Sequence, residues 1–159
     1  MIVSPDAHLY TEDGKYHWTP ERLKEAWGRS REAFTGHLQW GNPSKVVLLM
    51  GVPAAGKSTW LAEHMRAGVL YFDATFALPE WREPWIKQAT VEGVPVEIVW
   101  LDTPLAVCIE RNATRSEDRR VPEATMRAMH SNIMSSPPSE AEGVTITRVP
   151  YSPINKGGV

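Results

Sequence analysis

Two glycines separated by four residues, Gly51 and Gly56, are followed at once by Lys57-Ser58, and the stretch opens directly on the apolar run Val46-Val47-Leu48-Leu49-Met50. Nothing else in the chain constrains the fold as tightly. An unbroken apolar run of this length reads as a strand buried on both faces, the kind that parallel sheets contain. The glycines let the backbone wrap tightly, so that successive N–H groups point inward. A helix starting at Lys57 adds the positive end of its dipole. Strand, loop and helix in this order form a cradle for phosphate oxygens, with Lys57 on the β- and γ-phosphates and the Ser58 hydroxyl on Mg²⁺. The expected nucleotide-binding set is Gly51, Val52, Pro53, Ala54, Ala55, Gly56, Lys57, Ser58 and Thr59, with ATP and Mg²⁺ as the ligands.

Around this cradle, short apolar stretches alternate with helical patterns. Met1–Ser4 reads as a buried strand, and Asp13-Gly14 as a turn. Thr19-Pro20-Glu21-Arg22 opens a helix with Thr19 as N-cap, whose apolar stripe is Leu23, Ala26, Trp27, Phe34 and Leu38. The spacing then predicts a helix from Lys57 to about Arg66, a strand Val69–Phe72 ending at Asp73, and a helix from Pro79 to about Glu92. A strand Val94–Leu101 ending at Asp102, a helix from Pro104 to about Asn112, and a charged stretch Ala113–Arg120 come next. The remainder is a helix from Val121-Pro122-Glu123 to about Met134, a strand Val144–Val149, and a loose tail at Tyr151–Val159. The pattern predicts one α/β domain over residues 1–150. It is a three-layer α/β/α arrangement with a mostly parallel sheet, helices on both faces and a short arginine-rich lid.

Composition narrows the function classes. Seventeen Lys and Arg against nineteen Asp and Glu give a net charge of -2, so binding to nucleic acid would need a local basic patch. A single cysteine, Cys108, permits no internal disulfide and suits a reducing cytoplasm. Met1-Ile2-Val3 runs straight into Ser4-Pro5-Asp6, which does not read as a targeting segment, and no apolar run is long enough to span a membrane. Nothing in the sequence fixes an oligomeric state.

Phosphoryl transfer needs a nucleotide anchor, a metal, an acidic group for the acceptor hydroxyl, and positive charge over the moving phosphoryl. Ligands of parallel α/β sheets sit beyond the carboxyl ends of the strands, and Asp6, Asp73 and Asp102 all fall there. Asp6 and Asp73 are each candidates for acceptor base or partner of the metal, whereas Asp102 reads as a helix N-cap. Arg111, Arg115, Arg119 and Arg120 lie between two helices, where a lid closing over the phosphates would supply positive charge and exclude water.

Three pieces carry a resemblance to a known family: Gly51 to Trp60, then Val69-Leu70-Tyr71-Phe72-Asp73-Ala74-Thr75, then Arg111-Asn112-Ala113-Thr114-Arg115 with Val121-Pro122. Together, over about Lys45 to Met134, they resemble the kinase domain of polynucleotide 5′-hydroxyl kinases and the related bacteriophage kinases of 5-hydroxymethyluracil in DNA. In that family a strand bearing the catalytic Asp lies between the P-loop helix and the next strand, but here Gly68 leads straight on. Val3-Ser4-Pro5-Asp6 and Asp13 to Arg22 resemble the missing piece, which implies a circular permutation and requires the Met1–Ser4 strand to sit by the P-loop strand. Residues 1–44 would be the relocated acceptor-side piece, 45–68 the P-loop strand and helix, and 111–134 the lid region.

The resemblance implies Asp6 as general base on the acceptor hydroxyl and Arg115 as lid arginine. It implies Ser58 and Asp73 at the metal, and Arg111 near the adenine or the lid hinge. End-specific kinases carry an arginine three residues after the catalytic Asp, where this chain has Leu9. The expected acceptor is therefore the hydroxymethyl group of 5-hydroxymethyluracil in DNA. The alternatives are a polynucleotide 5′-hydroxyl, a small molecule such as a nucleoside, sugar or antibiotic, and a non-catalytic nucleotide-binding module. Trp18, Trp27 and Trp40, with Tyr10 and Tyr16, are candidates for stacking on an extruded base, with Trp27 preferred as core. The implied location is the cytoplasm, that of the host if the chain is phage-encoded.

Overall fold

The computed structural model describes residues 1–153. Five strands, β1 (Ile2–Val3), β2 (Lys45–Met50), β3 (Val69–Asp73), β4 (Val96–Asp102) and β5 (Thr145–Pro150), form one sheet in the order β1-β3-β2-β4-β5. Every pair is parallel, so the sheet is wholly parallel rather than mostly so. Five α-helices connect the strands: α1 (Pro20–Trp40), α2 (Lys57–His64), α3 (Pro79–Val91), α4 (Leu105–Ala113) and α5 (Glu123–Ser135).

The architecture is the three-layer α/β/α P-loop fold, and alternation along β3 shows how the layers form. Successive strand side chains point to opposite faces. Phe72 meets α1 and α3, its ring centroid 5.9 Å from Trp27, 5.7 Å from Phe34 and 4.6 Å from Trp85. Tyr71, its neighbour, turns to the other face, where its hydroxyl donates to the His64 carbonyl at the end of α2. The central strand β2 is buried from Val46 to Met50, as its continuous apolar run dictates. Trp27 packs in this core, as its place in the stripe predicts.

Several boundaries move. α2 stops at His64, two residues before Arg66, and β4 runs Val96–Asp102 rather than starting at Val94. Asp102 caps no helix: it is the last residue of β4 and accepts from Arg148 Nε at 2.8 Å, while Pro104 occupies the N-cap position of α4. That partner lies 46 positions away on β5, beyond the reach of any local pattern. The Met1–Ser4 strand shortens to two residues and does not touch the P-loop strand. It pairs with β3, Ile2 opposite Tyr71 and Val3 opposite Phe72, so that β3 stands between β1 and β2. The predicted tail lies outside the described residues from 154 onward.

A buried arginine ties one face together. Arg82 on α3 is fully enclosed and gives two bonds to Glu142, from Nε at 2.7 Å and from Nη2 at 2.9 Å. It also donates to the carbonyls of Phe76 and Ser136, each at 3.2 Å. The buried cation has four acceptor contacts, the arrangement that burying a charge demands.

Candidate functional site

The site gathers at the carboxyl edge of the sheet. After β2 the chain turns through Gly51 (φ 154°), Ala54 (φ 64°) and Gly56 (φ 103°) before entering α2. At Gly51 a Cβ would lie 3.0 Å from the Leu101 carbonyl oxygen and 3.2 Å from the Ala55 Cβ, so only glycine lets the loop lie this close to β4. Ala54 holds a left-handed backbone without being glycine, a strain of about 1–3 kcal/mol that functional loops tend to carry. The Thr103 hydroxyl, just past β4, donates to the Ala55 carbonyl at 2.8 Å and fixes the loop from behind. The sequence reading did not single out Thr103; its position directly after a strand-end Asp was the available signal.

Lys57 folds back into the loop, its Nζ donating to the carbonyls of Gly51 at 2.9 Å and Val52 at 3.2 Å. Burial of the ammonium lowers its pKa, and the negative charges of Asp73 and Asp6 work against that shift. Ser58 Oγ donates to Asp73 Oδ2 at 3.1 Å. Burial raises the Asp73 pKa, opposed by Lys57 and by the bond from Ser58. A hydroxyl and a carboxylate side by side suit Mg²⁺, which takes one or two protein oxygens and completes its shell with phosphates and water. Among the described residues no three or more His, Cys, Asp or Glu converge on a shared point, so no cage of such side chains competes with that arrangement.

Asp6 stands just beyond β1, in a 3₁₀ turn over Pro5–Leu9, at the same edge of the sheet as Asp73. Its carboxylate accepts from the Tyr16 hydroxyl at 3.3 Å. Burial, together with the charge of Asp6 and its hydrogen bond, pushes the Tyr16 phenol well above its ordinary pKa. Leu9, three residues on, is fully buried and has no surface to offer a ligand.

The arginine-rich segment folds over this edge. Buried Asn112 clamps its base, its Nδ2 donating to the Val121 carbonyl at 2.8 Å while its Oδ1 accepts from the Val121 N–H at 3.1 Å. Within it, Glu117–Arg119 form a 3₁₀ turn the sequence did not announce. Burial lowers the Arg115 pKa and neighbouring Arg119 adds to this, while Asp6, Tyr10 and Tyr16 oppose it. Those partners locate Arg115 on the Asp6 side of the site. Arg111 instead reaches the P-loop, its Nη1 donating to the Ala54 carbonyl at 3.4 Å and its guanidinium lying 5.6 Å from the Tyr151 ring centroid.

The structure thus brings Asp6, Lys57, Ser58, Asp73 and Arg115 within mutual influence. The stacking candidates separate. Tyr10 and Tyr16 pair edge to face beside Asp6, with centroids 5.4 Å apart. Trp18 and Trp40 are exposed, Trp40 at the end of α1 and 87% accessible. A groove of about 540 Å³ next to the Tyr10–Tyr16 hairpin is lined by His8, Tyr10, Glu12, Asp13, Arg22 and Arg29, among others.

A family model described as an AAA domain matches residues 68–135. The match begins at Gly68, after the P-loop, and takes in β3, α3, β4, α4, the lid segment and α5. No curated protein matches the chain. Cradle, sheet and match agree on the broad class: a nucleotide-binding P-loop domain of the kinase type. Among the described residues no helix is long and apolar enough to cross a membrane.

Proposed function

We propose that the chain is an ATP-dependent phosphotransferase acting on an alcohol, with Asp6 as the acceptor base and Arg115 as the lid cation. The observation that carries this reading is that Asp6 follows β1 at the carboxyl edge of the sheet where the P-loop leaves β2, near enough for its charge to act on Lys57 and Arg115. The acceptor hydroxyl gives its proton to the Asp6 carboxylate as its oxygen attacks the γ-phosphorus. The new O–P bond forms while the bond to the β,γ-bridging oxygen breaks, and that oxygen leaves on ADP with the electron pair. Asp6 then releases the proton to water. Lys57 and Arg115 offset negative charge on the transferring phosphoryl, and Arg111 borders the nucleotide. Mg²⁺ bound at Ser58 and Asp73 would neutralise charge across the β- and γ-phosphates.

Asp6 follows a strand of the same polarity as the P-loop strand, in the same sheet, which puts it at the edge where an acceptor base is needed; because β3 separates β1 from β2, the condition set for a circular permutation is not met and the relocation is not part of the proposal. For the acceptor we propose the hydroxymethyl group of 5-hydroxymethyluracil in DNA. The buried Leu9 disfavours a 5′-end reading, because a fully enclosed apolar side chain cannot hold an acceptor phosphate. A second reading, a small polyhydroxylated acceptor, is favoured by the groove beside the hairpin. Its two arginines, Arg22 and Arg29, face three carboxylates, Glu12, Asp13 and Glu25, a balance that does not attract a polyanion.

The test is transfer of labelled phosphate from ATP to three acceptors in parallel: DNA containing 5-hydroxymethyluracil, plain DNA with 5′-hydroxyl ends, and free nucleosides. Labelling of the first alone is expected. Labelling of nucleosides alone moves the function to the small-molecule reading. Asp6→Asn is expected to abolish transfer while ATP still binds; undiminished transfer removes Asp6 from the mechanism.

A further inference from the structure

The lid and the acceptor-side segment meet at the Tyr10–Tyr16 hairpin. Tyr10 and Tyr16 face each other across a short antiparallel bridge, closed by bonds from Thr11 N–H to the Lys15 carbonyl and from Gly14 N–H to the Thr11 carbonyl, both at 2.9 Å. From the stem of this hairpin, the Tyr16 main-chain N–H donates to Asp118 Oδ2 in the lid at 3.1 Å, across 102 positions of the chain. The Tyr16 side chain points the other way and donates to Asp6 Oδ1. Beside this pair, the Arg119 guanidinium lies 5.8 Å from the Tyr10 ring centroid.

We infer that Tyr16 is a positioning residue that latches the lid onto the acceptor side, so that Arg115 and Asp6 are presented to the same phosphoryl group as one unit. The inference rests on the kinase reading above and assigns the hairpin a role that neither motif nor family match covers. The geometry has a chemical logic. With Oδ1 engaged by the phenol, Oδ2 of Asp6 is left to take the acceptor proton. With its main chain tied to Asp118, the same residue holds the 3₁₀ turn that follows Arg115. The contacts to Asp118 and Arg119 are solvent-exposed and individually weak, so the latch can release when nucleotide exchanges. A lid that seats only when the hairpin is in place makes water exclusion and correct placement of the base coincide.

The experiment compares Asp118→Ala, Asp118→Asn and Tyr16→Phe in the full chain. Asparagine keeps a carbonyl oxygen to accept from the Tyr16 N–H; alanine does not. Asp118→Ala is expected to lower kcat about five- to tenfold, the size of one exposed hydrogen bond, with KM for ATP little changed. It is also expected to speed hydrogen exchange at the Tyr16 amide, followed by NMR without acceptor. Asp118→Asn should restore both. Tyr16→Phe should lower kcat while leaving that amide as protected as before. Equal exchange in wild type and Asp118→Ala overturns the latch, as does Asp118→Asn behaving like Asp118→Ala. Lost protection with unchanged kcat also overturns the positioning role. A protected amide in a chain that transfers phosphate to no acceptor overturns the kinase reading, and with it any part for Tyr16 in positioning. An unprotected amide in an active enzyme overturns the latch alone.

Discussion

The Thr103 hydroxyl donates to the Ala55 carbonyl across 48 positions of the chain, so the end of β4 holds the middle of the phosphate loop in place. Both residues are buried. Thr103→Val keeps the shape and leaves the carbonyl without a donor, which should cost about 1–3 kcal/mol of stability. Thr103→Ser should recover most of it. Urea denaturation measures the loss, and titration with ATP should show weaker binding in the valine variant alone.

Gly51 leaves no space for a methyl group at its approach to β4. Gly51→Ala must push the loop away from the Leu101 carbonyl or strain its own backbone, at a cost of about 1–3 kcal/mol. Calorimetric titration with ATP is expected to show binding largely lost while circular dichroism stays that of the folded chain. Wild-type affinity in this variant would show that the loop does not need its observed path.

Arg82 and Glu142 make a prediction about stability alone. Glu142→Ala strands a fully enclosed guanidinium and should cost about 3–5 kcal/mol in chemical denaturation. Neither side chain bonds to the nucleotide loop, so the folded fraction should bind ATP as wild type does.

The same pair sets an acid dependence. Burial works to raise the Glu142 pKa, but bonds from Arg82 and from the Ser139 N–H outweigh it and hold the carboxyl below its ordinary value of 4.5. A depressed carboxylate pKa adds stability that is present above about 4.5 and lost as the pH falls through the depressed value. Stability measured from pH 6 to about pH 3 should therefore fall more steeply in wild type than in Glu142→Gln, whose curve starts lower.

Arg115→Ala should slow transfer by about 10³-fold, the low end of what an arginine over a transferring phosphoryl contributes. ATP affinity should change far less. A loss confined to ATP binding would make Arg115 a nucleotide anchor instead of a lid cation.

The strands and the loop between β2 and α2 were legible because their signals are local: a continuous apolar run, glycines at fixed spacing, and Thr19 accepting from the Arg22 N–H at the start of α1. What escaped was contact at long range. Asp102 has the local signature of a cap, and only the register of β5 brings Arg148 to it. Arg82 has the local signature of a surface residue, and only the turn at Glu142 encloses it. Tyr16 looked like a stacking ring because aromatic composition is visible in a sequence, whereas the direction of one N–H and one O–H is not. Likewise the edge position of β1 follows from which strand it pairs with, and pairing partners leave no mark on a two-residue strand.

That edge strand sets a timetable for the newborn chain. Among the described residues Ile2 and Val3 pair with β3 and with no other strand, and beside them the Tyr71 N–H donates to the Met1 carbonyl at 2.9 Å. On the ribosome, the segment carrying Asp6 emerges before β3 and waits for it, while the loop to be closed grows and its entropic cost rises slowly with the logarithm of its length. The first strand can seat once β3 is available, whereas the phosphate cradle is complete only when Thr103, past the end of β4, reaches Ala55, so the acceptor base is placed before the loop it serves.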